Sequence, residues 1–451
     1  MALFLVMMGY IVHFNAVRSK EMINNPHNVR LDSMADRVVR GKILDDSGNV
    51  LAETIVAEDG TETRKYPYGK LYAHVVGYDA MGKSGLESTE NFDLLTSNAF
   101  FLERVAKEIR EEKNIGDNVI TTLNTELQQT AYDALGSYKG AVVVMEASTG
   151  KILAMVSKPT FNPNSLVSDW EWLTTDENSS LLNRATQGAY APGSIFKVIT
   201  TLEYIRENAN HAEYSYECAG EITHGDTTIH CANNRVHGTE NLASSLANSC
   251  NASYSHIGLG LDLGSFKDTA KDLLFDSKLP CELPYSQSKF QLTKDSSESE
   301  IMMTSIGQGK TQVSPYHMAL ITAAIANGGT LMKPYLVNEI VNYKGVSIDK
   351  KLPSKYGSLM TSQEAAQLKE YMVEVVTNGT GRALSGESYT VAGKTGTAEY
   401  SSDKDKTHSW FMGFTNVENP ELVISVVVES ADQSGMSAIS VAKKVFNAYY
   451  Y

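Results

Sequence analysis

Two side chains in the segment Pro192-Gly-Ser-Ile-Phe-Lys197 have the spacing needed to activate a nucleophile. Ser194 and Lys197 lie three residues apart, and on a helix this spacing places both side chains on one face, within reach of each other. A serine at a helix N-terminus also meets free N–H groups that favour a developing negative charge. The pair therefore predicts a nucleophilic serine with a lysine as its base.

A lysine acts as a base only when its amine is neutral. The ordinary lysine pKa of about 10.4 must fall to near 7, at about 1.4 kcal/mol per unit, and burial or a neighbouring cation can produce that shift. We therefore expect Lys197 to be buried or to lie close to a second positive charge.

Two further segments could complete such a site. In Ser249-Cys-Asn251, a second hydroxyl could relay a proton and an amide could orient a substrate carbonyl. In Lys394-Thr-Gly-Thr397, a cation beside a hydroxyl suits a carboxylate, and Gly396 would let the substrate approach an edge strand closely. Lys394 could also supply the positive field that keeps Lys197 neutral.

Composition limits the classes of function. The chain has 451 residues, of which 42% are hydrophobic and 20% charged, and 39 basic against 53 acidic side chains give a net charge of −14. Such a length favours two or three domains with substantial cores. The acidic balance argues against a nucleic-acid partner and against an anionic lipid surface, because both need clustered Lys and Arg.

The N-terminal stretch Met1 to Val17 carries no charged side chain, and Arg18 and Lys20 follow it. As a helix it would span about 25 Å, slightly less than the hydrocarbon core of a bilayer. It lacks the basic start and the small-residue cleavage site of a signal peptide. We expect a membrane anchor here, with a buried core helix as the alternative.

The elements that must position the polar segments are strands near both ends of a long helical region. Ala147-Ser-Thr-Gly150 between two apolar runs predicts an antiparallel hairpin of strands over 141–145 and 152–156, and Asp46-Ser-Gly-Asn49 predicts another turn. Helical patterns cover 100–113 and about 125–135, and after the 152–156 strand a helical, polar-rich stretch is predicted up to about residue 290. Further helices are predicted over 315–327 and 438–450. Further strands are predicted over 389–392, 408–414 and 422–429, with 401–406 as a hairpin tip. The fold class is therefore α+β, an antiparallel sheet with flanking helices.

The three segments together resemble the active site of the penicillin-binding proteins and serine β-lactamases. Other stretches are similar to landmarks of the class B (monofunctional) penicillin-binding proteins: Arg40-Gly-Lys-Ile-Leu-Asp45, His74-Val-Val-Gly77, Gly85-Leu-Glu87, Gly140-Ala-Val-Val-Val144, Ser157-Lys-Pro159, Gly307-Gln-Gly309, Ala326-Asn-Gly-Gly329 and Trp410-Phe-Met-Gly-Phe414. The resemblance runs from about residue 30 to the end. It implies an anchor over 1–17, a small N-terminal pedestal domain over 18–116 without a large dimerisation subdomain, and a transpeptidase domain over 117–451.

The resemblance also implies a role for each residue of the three segments. Ser194 would be the acylated nucleophile, Lys197 its base, and Ser249 and Asn251 the proton relay and substrate orienter. Lys394, Thr395, Gly396 and Thr397 would line the substrate site, with Lys394 and Thr395 on the terminal carboxylate. The backbone N–H groups of Ser194 and Thr397 would form the oxyanion hole.

By this resemblance the chain is a peptidoglycan D,D-transpeptidase that cross-links stem peptides and is trapped by β-lactam antibiotics. It would work outside the cytoplasm as a single-pass membrane protein, beside an FtsW/RodA-type glycan polymerase, without a cofactor. A D,D-carboxypeptidase or β-lactamase, or a non-catalytic penicillin-binding scaffold or sensor, remains the alternative. Two departures weaken the β-lactamase alternative: Cys250 stands where class A enzymes have Asp, and no Glu-x-x-Leu-Asn sequence is present.

Four cysteines are too few for a disulfide scaffold. Cys218 and Cys231, 13 residues apart across a predicted hairpin, could pair outside the cytoplasm, and similar class B sequences carry a cysteine pair in this region. Free thiols are the alternative, and no metal site is expected, because the spacing to His224 and His230 matches no standard zinc finger. We interpret Cys250 and Cys281 as small buried groups.

Overall fold

A computed structural model of the chain describes residues 2–17, 34–400 and 406–451. It divides into two compact units. The first comprises Met1–Asn124, Thr160–Leu181 and Leu336–Leu352, and the second comprises Thr125–Pro159, Leu182–Tyr335 and Pro353–Tyr451. Neither unit is a single continuous stretch of chain. Strands and helices are numbered here along the whole chain.

The first unit contains a six-stranded sheet in the order β15-β14-β6-β2-β3-β4 and a parallel pair of β1 with β5. Its strands are β1 Val38–Val39, β2 Ile43–Leu44, β3 Val50–Val56, β4 Glu62–Lys65, β5 Asn114–Ile115, β6 Asn118–Thr121, β14 Val337–Val341 and β15 Ser347–Lys350. Its helices are α1 Ala2–Val17, α2 Gly85–Thr89, α3 Asn91–Leu95, α4 Phe101–Ile109 and α6 Leu166–Thr175, with 3-10 turns Gly69–Tyr72 and Pro163–Ser165. The turn predicted at 46–49 is confirmed, since β2 and β3 pair antiparallel across it.

A buried carboxylate joins the segments of this unit that carry the resemblance. Glu87 on α2 accepts hydrogen bonds from Arg40 Nε at 2.6 Å and from Arg64 Nε at 2.8 Å. Burial alone raises the pKa of the Glu87 carboxyl, but the two guanidinium groups outweigh it and hold that pKa below its usual value. Removing either arginine would leave a buried charge with less compensation, which is strongly destabilising.

Helix α1 is 16 residues long and presents large apolar side chains to the surroundings, from Leu3 at 76% exposed to Val12 at 67%. Across the described parts of the chain, no helix has both the length and the apolar character required to traverse a bilayer.

The second unit is built on a five-stranded antiparallel sheet in the order β17-β18-β19-β7-β8. Its strands are β7 Gly140–Glu146, β8 Ile152–Lys158, β9 Tyr216–Cys218, β10 Glu221–His224, β11 Thr227–His230, β12 Gly238–Glu240, β13 Thr330–Met332, β16 Lys355–Ser358, β17 Val391–Glu399, β18 Thr407–Thr415 and β19 Leu422–Val428. Its helices are α5 Thr125–Ala134, α7 Lys197–Glu207, α8 Leu242–Ala247, α9 Asn251–Gly260, α10 Leu263–Asp272, α11 Glu298–Ser305, α12 Pro315–Ala326, α13 Ser362–Thr377, α14 Ala431–Ser434 and α15 Ala438–Tyr450. The α+β prediction is confirmed.

Helices cover both faces of the central strands. Strand β19 is buried along its whole length, which explains its unbroken apolar sequence. Its even-numbered residues share one core with α5 and α15. Helix α12, buried over its whole length, contacts the same strands. Because successive side chains in a strand point to opposite faces, α12 lies on the other side of the sheet.

The predicted hairpin of β7 and β8 is confirmed, as are helices α12 and α15. Two predictions were wrong. The strand expected over 389–392 begins at Val391 and continues to Glu399, because pairing with β18 carries it past the glycines at which the sequence signal stops. The stretch expected to be helical up to about 290 contains the short strands β9 to β12. Residues 401–405 of the predicted hairpin tip lie outside the described residues.

The turn before α7 approaches β17 so closely that only glycine fits there. Gly193 has φ +56°, and a Cβ atom added to it would lie 2.3 Å from the carbonyl oxygen of Thr397. Its N–H donates to the Gly307 carbonyl at 2.8 Å, and a Cβ on Gly307 would lie 1.9 Å from the Gly193 carbonyl oxygen. These contacts fix the turn against the edge strand.

We predict that Gly193→Ala destabilises the protein far more than Gly328→Ala does. Gly328 also has a positive φ, of +61°, but a Cβ there meets nothing within 4 Å. The control should therefore lose only the strain of a left-handed residue, about 1–2 kcal/mol, whereas Gly193→Ala should lose about 3 kcal/mol or more. Urea denaturation measures both free energies of unfolding. Equal losses would contradict the close packing.

Candidate active site

Ser194 lies in a 3-10 turn, Gly193–Phe196, that leads directly into α7 at Lys197. The sequence predicted a helix over this segment, and the tighter turn preserves the expected proximity. Lys197 Nζ lies 3.2 Å from Ser194 Oγ. Ser194 is half-buried and Lys197 is fully buried. The nucleophile is thus reachable from outside while its partner amine is not.

The Lys197 amine has three further polar neighbours. Nζ lies 2.7 Å from the Ser249 carbonyl oxygen, 3.2 Å from Ser249 Oγ and 2.6 Å from Asn251 Oδ1. Lys197 Nζ also lies over the ring of Tyr254, 5.5 Å from the centre of the ring. Because the two shortest contacts are to acceptors that cannot donate, they take two amine hydrogens. The remaining direction faces the two serine hydroxyls.

Burial lowers the pKa of Lys197 to about 7, from the usual 10.5. Burial and then the positive charge of Lys197 hold the pKa of Lys394 well below 10.5. The sequence analysis assigned the shift of Lys197 to the field of Lys394. In the structure, burial is what lowers the pKa of Lys197. The repulsion between the two lysines instead lowers the pKa of Lys394.

The backbone places Ser249 and Asn251 on either side of Lys197 Nζ. Ser249 has φ +57°, a left-handed turn conformation, and Asn251 begins α9 with Cys250 as its N-cap. Asn251 Nδ2 donates to the His230 carbonyl at 2.9 Å, which leaves Oδ1 turned to the lysine. This second segment is therefore attached both to the lysine and to the end of β11.

The third segment lies inside β17, the edge strand of the sheet. Lys394 is fully buried, and its Nζ donates to the Thr395 carbonyl at 2.9 Å. Thr397 is exposed. Gly396 was expected to make room for the substrate, but a Cβ there would meet Ile195 Cγ2 at 3.0 Å and Ile195 N at 3.1 Å. In this structure the space beside Gly396 is occupied by the turn that carries Ser194 and Ile195.

Two contacts at the site were missed by the sequence reasoning. Thr380, which follows α13, has its hydroxyl 2.6 Å from that of Thr395, and no sequence signal pointed to it. Trp410 Nε1 donates to the Ala191 carbonyl at 3.1 Å and so supports the segment that precedes Ser194. Trp410 belongs to a stretch quoted above for its resemblance, so its presence was visible but its contact was not.

The cysteine predictions have a mixed outcome. Cys218 and Cys231 are free thiols here, with their Sγ atoms 3.7 Å apart, so the disulfide stays a prediction. Cys250 is fully buried as expected, whereas Cys281 is partly exposed.

The three segments together form a constellation suited to acyl transfer through a serine ester. A hydroxyl, a buried amine with a depressed pKa, a second hydroxyl and an amide lie around one point, as nucleophilic catalysis requires. The first amine contact, at 3.2 Å, is within the looser hydrogen-bond reach seen before substrate is bound.

Comparison with known proteins shows the family of the chain. Residues 140–451 match the family model described as the penicillin binding protein transpeptidase domain. The chain belongs to this family. Residues 40–119 match a second model, the penicillin binding protein A dimerisation domain. This match lies almost wholly within the stretch that the sequence assigned to the N-terminal pedestal domain.

Individual relatives of this penicillin-binding protein are similar over most of its length. The peptidoglycan D,D-transpeptidase PbpA of Mycolicibacterium smegmatis is 33% identical over 86% of this chain and 84% of its own length. A penicillin G acyl-enzyme complex of penicillin-binding protein A from Mycobacterium tuberculosis has a TM-score of 0.83 at 30% identity, covering 91% of this chain and 99% of that one. A D,D-transpeptidase domain from Eggerthella lenta has a TM-score of 0.82 at 30% identity, covering 92% and 98%.

Proposed function

We propose that this chain is a serine-type peptidoglycan D,D-transpeptidase that cross-links stem peptides and is acylated by β-lactams at Ser194. The observation that carries the proposal is the buried Lys197 amine, with its pKa lowered to about 7, next to the Ser194 hydroxyl. A site of this kind supplies a neutral base at physiological pH. The similarity to a D,D-transpeptidase and to a penicillin G acyl-enzyme supports peptide cross-linking as the reaction and penicillin as an inhibitor.

In the acylation step, Lys197 Nζ takes the proton of Ser194 Oγ as this oxygen attacks the carbonyl carbon of the terminal D-Ala–D-Ala amide. The backbone N–H groups of Ser194 and Thr397 stabilise the resulting oxyanion, an element whose donors are worth about 3–4 kcal/mol each. When the C–N bond breaks, Ser249 relays a proton from Lys197 to the departing amine. D-Alanine leaves, and the donor stem remains as an ester on Ser194.

Lys394 and Thr395 bind the carboxylate of the donor stem. In the free site Lys394 resists protonation because it is buried and lies near Lys197. A bound carboxylate supplies the opposite charge and so favours the protonated form of Lys394. The positive charge that results then favours the neutral form of Lys197, so that carboxylate binding prepares the base.

In the second step, the amine of a neighbouring stem attacks the ester carbonyl and releases Ser194, forming the cross-link. Ester hydrolysis by water would make the protein a carboxypeptidase or β-lactamase. The sequence Glu-x-x-Leu-Asn, whose glutamate activates water in class A β-lactamases, does not occur in this chain. Its absence favours transfer of the acyl group to an amine. A scaffold without catalysis would need neither Ser194 nor Lys197.

We also propose the setting in which the reaction takes place. The apolar, exposed side chains of α1 support a single membrane anchor over 1–17. In this proposal the catalytic domain lies outside the cytoplasm. On this arrangement residues 18–116 form a pedestal and 117–451 the transpeptidase domain. A glycan polymerase of the FtsW/RodA type in the same membrane would supply the uncross-linked strands.

We predict that fluorescent penicillin labels the protein and that peptide mass spectrometry places the adduct on Ser194. Ser194→Ala should abolish labelling because it removes the only atom that forms the ester. Ser440→Ala is the matched control, since Ser440 and Lys443 have the same spacing on helix α15. The control should label like the wild type. An adduct elsewhere, or an unlabelled wild type, would refute the assignment, and turnover with an added amine acceptor separates transfer from hydrolysis.

We predict that Lys394→Ala lowers the second-order rate constant of acylation by about 100-fold, the effect of losing a charge-assisted contact, mainly through weaker capture of ligand. Because Lys394 is buried with a depressed pKa, replacing it should not reduce the free energy of unfolding in proportion. Stopped-flow labelling and urea denaturation measure the two quantities. A parallel loss of both would mean that Lys394 is structural.

We predict that the acylation rate rises with pH through a midpoint near 7, where Lys197 loses its proton. Below that pH the amine is charged and cannot accept the serine proton, so the rate should fall about tenfold per unit. Lys197→Ala should be slow and show no such midpoint. A midpoint near 10 would show that burial does not shift the pKa of this lysine.

A further inference from the structure

Helix α4 of the first unit keeps an apolar side exposed, and none of its residues is buried. With about 3.6 residues per turn, four of its apolar side chains fall within an arc of about 100° around the helix axis: Phe101, Leu102, Val105 and Ile109. Phe101 is 64% exposed, Leu102 63% and Ile109 78%, and Phe100 directly before the helix is 70% exposed. Apolar side chains clustered in this way on a surface mark an interaction site.

The opposite side of α4 is polar and is held by the turn between β14 and β15. The Glu103 carboxylate accepts hydrogen bonds from the Tyr343 hydroxyl and from Lys344 Nζ, the latter at 2.7 Å. Lys107 lies one turn further along, with its Nζ 5.5 Å from the centre of the Tyr343 ring. These contacts fix the rotation of the helix about its own axis, so that the apolar side faces outward.

The chain that comes from the proposed membrane anchor enters the first unit beside this helix. Beyond α1 the described chain resumes at Met34 and leads into β1, which pairs in parallel with β5, four residues after the end of α4. Lys113 Nζ donates to the Ala35 carbonyl at 3.1 Å. Because the two strands are parallel, the segment from the anchor and the segment from α4 reach them from the same side. The edge of the unit that carries α4 is therefore the edge at which the anchor is attached.

We propose that the apolar side of α4 lies in the surface of the membrane to which this chain is anchored, with the helix axis parallel to the bilayer plane. The inference rests on the membrane setting proposed above. A helix with aromatic and aliphatic side chains on one side and charged side chains on the other binds in this way, its apolar side buried about 5–10 Å into the boundary between headgroups and acyl chains. The occupant of the exposed side is thus a lipid surface.

The charges of α4 and of the four residues after it indicate a contact that does not depend on anionic lipid. Four basic side chains stand against four acidic ones over 101–113: Arg104, Lys107, Arg110 and Lys113 against Glu103, Glu108, Glu111 and Glu112. A balanced segment gains little from anionic headgroups, so the apolar side chains have to supply the affinity. The net charge of −14 over the whole chain, which argues against binding to an anionic surface, is consistent with this.

The anchor makes even a weak contact by α4 effective. The 16 residues between α1 and Met34 can span at most about 55 Å when fully extended, so α1 keeps α4 concentrated near the bilayer. Binding of a second element that is already held near its target is intramolecular and needs little affinity of its own. Together the two contacts would hold the first unit at a defined height above the membrane, which a single tether does not do.

The test places the full chain in nanodiscs of neutral phosphatidylcholine, at one chain per disc. The environment-sensitive fluorophore NBD is attached to Phe101→Cys or, as the matched control, to Arg110→Cys. Both positions are exposed, and nine residues at about 100° each place them on opposite sides of the helix. Cys281→Ser is the background, because the other three cysteines are buried.

NBD at Phe101→Cys should emit at shorter wavelength than NBD at Arg110→Cys. It should also be quenched several times more strongly by lipids that carry a nitroxide near the top of the acyl chain, whereas iodide in the water should quench mainly the control. Equal emission and equal quenching at the two positions would overturn the proposal. Because each disc holds one chain and no other protein, neither a second copy nor a protein partner can produce lipid quenching.

A double substitution on the apolar side tests the cause of the contact. Leu102→Ser with Ile109→Ser should reduce lipid quenching of the label at Phe101→Cys to the level of the Arg110→Cys control. Val167→Ser with Val236→Ser makes the same chemical change at two positions outside α4 that are 66% and 64% exposed, and should leave the quenching unchanged. Equal effects of the two pairs would refute a specific role of α4.

The remaining outcomes separate this inference from the proposals on which it rests. Chain that does not enter the discs would overturn the anchor and the α4 contact together. Penicillin labelling of Ser194 in the same discs reports on the transpeptidase alone, and the α4 variants should label like the wild type, because their substitutions lie outside the site. Dimers in detergent that shield the label at Phe101→Cys from iodide, without lipid quenching in discs, would assign the apolar side to a second copy of this chain and overturn the proposal.

Discussion

The burial of one amine, that of Lys197, is the constraint on which the site depends. A fully buried lysine in an apolar interior would be charged only at a large free-energy cost, and its pKa falls to about 7 as a result. The same burial requires polar partners for its remaining hydrogens, and Ser249 and Asn251 supply them. Desolvation therefore creates the base, and the need to satisfy that base brings the second segment to the nucleophile.

The nucleophile itself is placed by close contact between backbones. Gly193 and Gly396 let the serine-bearing turn lie directly against β17, where a larger residue would collide with main-chain atoms or with Ile195. Gly307 packs against the Gly193 carbonyl on the turn itself. Backbone-to-backbone packing of this kind has little freedom to adjust. The turn that carries Ser194 therefore packs directly against the strand that carries Lys394.

The second segment has a different kind of support. Strands β9 to β12 are short and mostly exposed, and their apolar cluster is small. Asn251 is attached to this region through the hydrogen bond from its Nδ2 to the His230 carbonyl, and Lys197 Nζ contacts both Asn251 and Ser249.

Sequence reasoning succeeded where the signal is local or is a short motif. The hairpin of β7 and β8, helices α12 and α15 and the three polar segments could all be read from apolar periodicity, turn residues and spacing. The family followed from the same segments, and the match over 140–451 confirms it. The strand carrying Lys394 was cut short because its glycines have low strand propensity, although pairing with β18 overrides that preference.

Long-range pairing decided the rest. Strand β14 joins the sheet of the first unit beside β6, although more than 200 residues separate the two strands in the sequence. The cause of the pKa shift of Lys197 and the close contact of Gly396 with Ile195 likewise depend on atoms distant in sequence. The amino-acid sequence determined which chemical groups are present and which elements form locally. Only the tertiary structure decided which of those groups lose their water and meet, because burial and distance depend on the packing of segments that the chain order does not bring together.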